Sequence, residues 1–303
     1  MTGTDLTRRG LLLAGAGVLL AGCTSQRKTS GAGRASPTPS ESASASATPS
    51  ATRSATQSAS PRSPLPGFAA WQPNPADVDP RCKLTAVRAI ERRLSGAGRS
   101  VLVLDAQYGG LLTAAASVLV MTRTWRRHAG RIEHGGATYD VRLTRGSSGW
   151  RVTAVHPSQP GPPSHRVTAD EKAVLRSDRI VLPPAAEADV RSGHVHESVL
   201  AAMLRLSERY HCGVSVVRSG HPTYVFGTDR LSDHPRGRAF DTYRIDDRLV
   251  VDRHTPERLV VGYMEAAARA GSYNVGGPYL LGSAPQWFSD RTHHDHVHAG
   301  FTS

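Results

Sequence analysis

The chain has 303 residues, enough for two modest domains, and a formal charge of +12, from 37 Lys and Arg against 25 Asp and Glu. Arginine supplies most of the positive charge, but it is scattered, without a long block of like charge, and no nucleic-acid-binding motif accompanies it. A polybasic tail and a nucleic-acid partner are therefore excluded, and the basic surface is expected to favour anionic wall polymers or lipid headgroups.

The chain opens as a targeting segment over residues 1–23. Arg8 and Arg9 precede an apolar run from Leu11 to Leu20, and the small residues Ala21 and Gly22 lead to Cys23. A charged start, a short apolar run and small residues before a break make a secretory signal, too short to span a membrane as a mature helix. The ending Leu20-Ala21-Gly22-Cys23 resembles a bacterial lipobox, which implies a signal peptide removed before Cys23 and lipidation of Cys23. The Thr7-Arg8-Arg9-Gly10-Leu11-Leu12 run also resembles a twin-arginine export signal. The protein is thus expected to be exported and lipid-anchored to the outer face of the cell membrane. Cys82 and Cys212 remain as a pair in an oxidising compartment, where a disulfide is allowed.

Residues 24–66 are Ser, Ala, Thr, Pro and Gly with scattered Arg. So little large apolar surface cannot offset the entropy of ordering, and the segment is expected to be a disordered tether reaching about 35–40 Å. Residues 67–156 read as a small α+β domain. Val87, Ile90 and Leu94 recur at helical spacing over Lys83 to Leu94, and Gly96 stops the helix. Val101–Leu104 and Val118–Met121 are short apolar runs with β character. Tyr139, Val141 and Leu143 alternate with polar residues up to a turn at Arg145–Gly149, and Trp150, Val152 and Ala154 alternate on the way back, which predicts a hairpin. One helix followed by antiparallel strands resembles the cystatin-like or nuclear-transport-factor-like folds, and a spacer or binding module is expected. Residues 157–165 are a Pro-rich linker.

Residues 166–303 read as a second α+β domain. Helices are predicted over His196–Tyr210 and Pro256–Ala270, with Pro256 suited to a first turn and Gly271 to a stop. Short strands are predicted at Val214–Val217, Ala239–Ile245, Tyr273–Val275 and His296–His298. Within this domain, Ser232-Asp233-His234-Pro235-Arg236-Gly237-Arg238-Ala239-Phe240-Asp241 places a loop histidine before a sharp turn and an aspartate on the strand that follows. Near the C-terminus, Asp295-His296-Val297-His298 offers another carboxylate and two imidazoles. Two histidines and a carboxylate suit a borderline-soft dication such as zinc, and three protein ligands leave a fourth position for water, which zinc activates near neutral pH.

The pattern Ser-x-His-x-x-Gly-x-Ala-x-Asp followed by Asp-x-x-His resembles the zinc D-alanyl-D-alanine carboxypeptidases and dipeptidases and the L-alanyl-D-glutamate endopeptidases of the hedgehog-type fold. The resemblance covers roughly residues 196–301. It implies a hedgehog/DD-peptidase-like domain with a small antiparallel sheet, Zn²⁺ held by His234, Asp241 and His298, and Asp295 as general base. It also implies an arginine that grips a substrate carboxylate or the oxyanion. The comparable piece here is Val217-Arg218-Ser219-Gly220-His221, so Arg218 takes that place, although the order of residues departs from the family's Ser-Gly-Tyr-Arg. His296 is a candidate to hydrogen-bond behind a ligand or to assist the oxyanion, and Trp287 and Tyr279 to wall the cleft. The implied activity is that of a zinc metallopeptidase, a carboxypeptidase or an endopeptidase, on peptidoglycan stem peptides. The rival is a non-catalytic lipoprotein that uses a metal to organise a wall-binding surface. A second His-x-His, His194-Val195-His196, has no matching His/Asp segment and reads as a helix start.

Overall fold

Residues 64–302 are described in a computed structural model. The signal segment, the lipidation site Cys23 and the tether up to residue 63 lie outside the described residues. The structure is mixed α+β, with two sheets and five α-helices among the described residues.

The first sheet follows one helix. Helix α1 (Pro80–Leu94) is capped by Asp79, whose Oδ1 accepts the Cys82 amide at 3.1 Å, while Oδ2 accepts the Trp150 indole N–H at 2.9 Å and ties the helix to the sheet. Strands β1 (Arg99–Leu111), β2 (Ala115–His128), β3 (Arg131–Gly135), β4 (Thr138–Gly146) and β5 (Gly149–Pro157) pair antiparallel in the order β1-β2-β4-β5, with β3 beside β2. Gly146 pairs with Gly149, so the predicted hairpin turn is present. The core beneath α1 holds Cys82, Val87, Ile90, Tyr108, Val118, Val141 and Leu143. Strand β1 runs well past the predicted Val101–Leu104. Its second half, Ala106 to Leu111, is buried throughout, because one face covers α1 and the other meets the second sheet's elements.

Next come α2 (Ala169–Arg176), β6 (Ile180–Val181), α3 (Pro184–Arg191), α4 (Glu197–Ser207), β7 (Cys212–Val216), β8 (Ala239–Ile245), β9 (Arg248–Leu249), α5 (Glu257–Arg269), β10 (Asn274–Gly276), β11 (Trp287–Phe288), a 3₁₀ turn (Thr292–His294) and β12 (Val297–Gly300). Both predicted helices are present, somewhat shorter than expected. Helices α2 and α3 were not predicted, although Thr168 and Glu171 form a capping box at α2. The expected small antiparallel sheet is corrected. Seven strands run in the order β11-β10-β12-β8-β7-β6, with β9 beside β8, and the β6–β7 and β10–β11 pairs are parallel. The two outer strands are dipeptides, too short to show an alternation in sequence.

Cys82 belongs to the first core and Cys212 to the second, and both are free and buried. The permitted disulfide is not formed, because each thiol packs among the apolar side chains of its own core.

Candidate metal centre

The register of two neighbouring strands places the first pair of candidate ligand atoms. His298 on β12 stands directly opposite Asp241 on β8, and its Nδ1 lies 3.0 Å from Asp241 Oδ1. The loop between β7 and β8 brings His234. Its Nδ1 donates to the Val217 carbonyl at 2.9 Å, which fixes the tautomer and turns the Nε2 lone pair inward. That Nε2 lies 3.1 Å from Asp241 Oδ1 and 3.2 Å from His298 Nδ1. The loop depends on Gly237, at φ +69°, where a Cβ would meet the His194 carbonyl oxygen at 2.0 Å. Ala239, with no exposed surface, leaves room beside the ligands.

His234 Nε2, Asp241 Oδ1 and His298 Nδ1 thus stand 3.0–3.2 Å from one another. Donors about 2.0–2.1 Å from one tetrahedral ion would stand about 3.3 Å apart, so the spacing suits a shared cation. His221 adds a fourth candidate. One ligand atom each from His221, His234 and Asp241 lies within 4.8 Å of the others, and the His221 ring stacks on His234 with centroids 4.1 Å apart. The His221 Nδ1 is occupied, 2.9 Å from the Pro222 carbonyl and 3.3 Å from Ser232 Oγ. His221, His234 and Asp241 are a possible metal-binding group. The sequence reading passed over His221 as a ligand, and the one signal for it was its place three residues after Arg218 in the stretch compared with the family.

Burial and neighbouring charge set the protonation of the group. Burial pulls the His298 imidazole down to about 4, so it is neutral and free to coordinate near pH 7. Burial likewise holds His221 well below its usual value, with the nearby His234 adding to the effect. Asp241 would be pushed up by burial, but the imidazoles of His234 and His296 outweigh this and keep it ionised.

A cleft of about 600 Å³ opens at this group and is lined by His221, His234, His293, His296 and His298 together with Tyr108 and Leu111 of β1. Phe226, Phe288, Arg230 and Arg291 also line it. Trp287 and Tyr279, the expected wall, pack instead against the second core.

Asp295 does not line this cleft. Its Oδ2 accepts from Lys83 Nζ at 2.7 Å and from the Tyr108 amide at 3.0 Å, and its Oδ1 lies 2.6 Å from His296 Nδ1. Burial would raise this carboxyl, but the Lys83 ammonium and His296 hold it below its ordinary value. Lys83 also pairs with Asp77, and the carboxylates of Asp295, Asp77 and Asp105 keep it protonated despite its burial. His296 is the member of the pair that reaches the cleft, with Nε2 3.7 Å from Asp241 Oδ2. Its imidazole is raised above the ordinary range, since Asp241 and Asp295 outweigh burial.

Arg218 is not brought to the ligands. Its guanidinium lies 3.2 Å from the Pro160 carbonyl and 3.7 Å from Asp189 Oδ1, and it lines a neighbouring cavity. Asp189 also accepts the Arg218 and Ser219 amides, so this arginine pins the linker and α3 to the end of β7. The cations that do line the ligand cleft are Arg230 and Arg291. His194 and His196 lie elsewhere, the first beside Ser192 Oγ at 3.1 Å and the second as N-cap of α4. No protein-family model matches the sequence, and no curated protein or solved structure shows a significant match.

Proposed function

We propose that the protein is a zinc-dependent peptidase of the cell envelope that hydrolyses peptide bonds in peptidoglycan stem peptides. The observation that carries this reading is the convergence of His234 Nε2, Asp241 Oδ1 and His298 Nδ1 at 3.0–3.2 Å beside an open cleft. Zn²⁺ held by these atoms would polarise the scissile carbonyl and activate water for attack. The ligand motif and its family resemblance favour a hedgehog/DD-peptidase-like domain, and a helix followed by five antiparallel strands favours a cystatin-like first module. The lipobox-like start favours an anchor at Cys23, which would hold the cleft near the wall.

In this reading Asp295 and His296 act as one unit. The ionised Asp295, fixed by Lys83 and the Tyr108 amide, orients His296. His296 Nε2 then holds or passes the proton at the cleft face. This gives Asp295 an indirect part, where the sequence alone suggested direct proton transfer. Arg218 is assigned no contact with substrate; Arg230 and Arg291 stand where a stem-peptide carboxylate would enter.

The rival, a non-catalytic metal-organised wall-binding lipoprotein, is favoured by the enclosure of Asp295 away from the cleft. Zinc content of the purified protein, with a digest of muropeptides by wild type and by Asp295→Asn, separates the two. The peptidase reading expects bound zinc, released peptide products and loss of products in the variant. Bound zinc with no products from wild type would establish the rival.

A further inference from the structure

We propose that the first module is part of the metal centre, with Gln107 on β1 as the positioning residue that aims the ligand carboxylate of Asp241. This rests on the metal-site reading above. Gln107 Nε2 donates to Asp241 Oδ2 at 2.6 Å across a sequence separation of 134 residues. The two carboxylate oxygens therefore divide their work. Oδ1 faces His234 and His298, and Oδ2 accepts from the amide, with His296 Nε2 farther off at 3.7 Å.

The chemistry fixes which way the amide points. A carboxylate only accepts, so the NH₂ end must face Asp241, and the carbonyl end is left to accept from Ser215 Oγ. Ser215 lies on β7, beside β8, and its Oγ is also 3.2 Å from the Asp241 backbone carbonyl. Gln107 is 1% exposed, and Ser215 and Asp241 have no exposed surface. A buried primary amide with both ends satisfied holds its partner in one orientation.

Strand alternation explains how the first module reaches this point. Ala106 and Tyr108 enter the core under α1, so Gln107 between them faces the second module. The same strand then gives the Tyr108 amide to Asp295 and the Leu111 amide to Thr292 Oγ1, the latter at 3.0 Å. Gly110 permits the approach, since a Cβ there would lie 2.1 Å from Phe226. The second module supplies the ligands, and the first supplies the hydrogen bond to the outer oxygen of Asp241. Such supporting partners are worth about 10–100-fold in metal affinity.

The test uses the full-length protein, stripped of metal and titrated with Zn²⁺ against a chromophoric chelator, then with Co²⁺ to record its visible absorption. Gln107→Leu removes the donor. Ser215→Ala keeps the amide but removes the hydroxyl that aims it. Val103→Ala loosens the same strand within the first core, away from the ligands. The expected result is zinc binding weakened about 10–100-fold in Gln107→Leu and by less in Ser215→Ala, with an altered cobalt spectrum in both. Val103→Ala should melt earlier yet bind zinc as wild type does. Equal zinc affinity in wild type, Gln107→Leu and Ser215→Ala overturns the proposal, as does a loss in Val103→Ala as large as that in Gln107→Leu. If Gln107→Leu fails to fold, Ser215→Ala decides by the same readout. Wild type that binds neither ion overturns the metal-site reading itself, and this role with it.

Discussion

The tripeptide His-Val-His occurs twice, at 194–196 and at 296–298, and the surroundings give the two copies different work. In the first, His194 is exposed and His196 caps α4, its Nδ1 accepting the Ser198 amide at 3.3 Å. In the second, His296 pairs with a buried aspartate, and His298 faces a carboxylate across a strand pair and a loop imidazole. The apolar valine packs inward in both copies. What differs is what stands opposite. Facing the second copy are Asp241 on a paired strand and a first module that hydrogen-bonds the carboxylates; facing the first is a helix start. The first copy does meet the loop that carries His234, since the His196 amide donates to the Gly237 carbonyl at 2.9 Å, three residues on.

Substitutions at matching positions should widen or erase this contrast. The largest effect is expected from His298→Ala, which removes a ligand; zinc retention after dialysis should fall by more than the roughly 100-fold ascribed to a supporting partner, whereas His196→Ala should retain zinc as wild type does. Comparable retention in the two variants would mean that the copies are equivalent. Next is the acid beside each copy. Asp295→Asn should lower muropeptide hydrolysis by about 10²–10⁴-fold with zinc still bound, while Glu197→Gln, at the exposed first turn of α4, should leave the rate unchanged.

Third is the ammonium beneath Asp295. Lys83→Met removes the ammonium that pairs the buried Asp77 and Asp295, and a loss of about 3–5 kcal/mol is expected in denaturant unfolding. A loss under about 1 kcal/mol would show that this cluster is solvated in solution. The smallest effect belongs to the first copy, where His196→Ala removes a helix cap and should destabilise by about 0.5–1 kcal/mol in the same assay.

Much of the fold could be read before any coordinates. Strand β8 falls at Ala239–Ile245 as predicted, since its alternation and the preceding Gly237 mark it, and α5 begins just after Pro256. The Gly146–Gly149 hairpin was equally plain from its turn residues. Strand β1 was read short because Asp105 and Gln107 interrupt the apolar run, and polar residues in a strand ordinarily mark its end or its wet face. Here Gln107 is buried because a second module covers it, and Asp105 is half-buried. The parallel edge strands, two residues long, carry no period to detect.

The sequence by itself determined the chemistry on offer: two short stretches with the residue types that hold a dication, a turn that only glycine permits, and periodicities that give one helix-and-sheet module before another. Those are local properties, set by side-chain type, backbone sterics and spacing within about ten residues. Tertiary structure alone decided that His221 joins the group, that Arg218 pins the linker, and that Gln107, Tyr108 and Lys83 reach across to the carboxylates. Each of those outcomes depends on segments far apart in the chain meeting in a buried place, where an unpaired polar group is costly and its partner can come from any element that packs there.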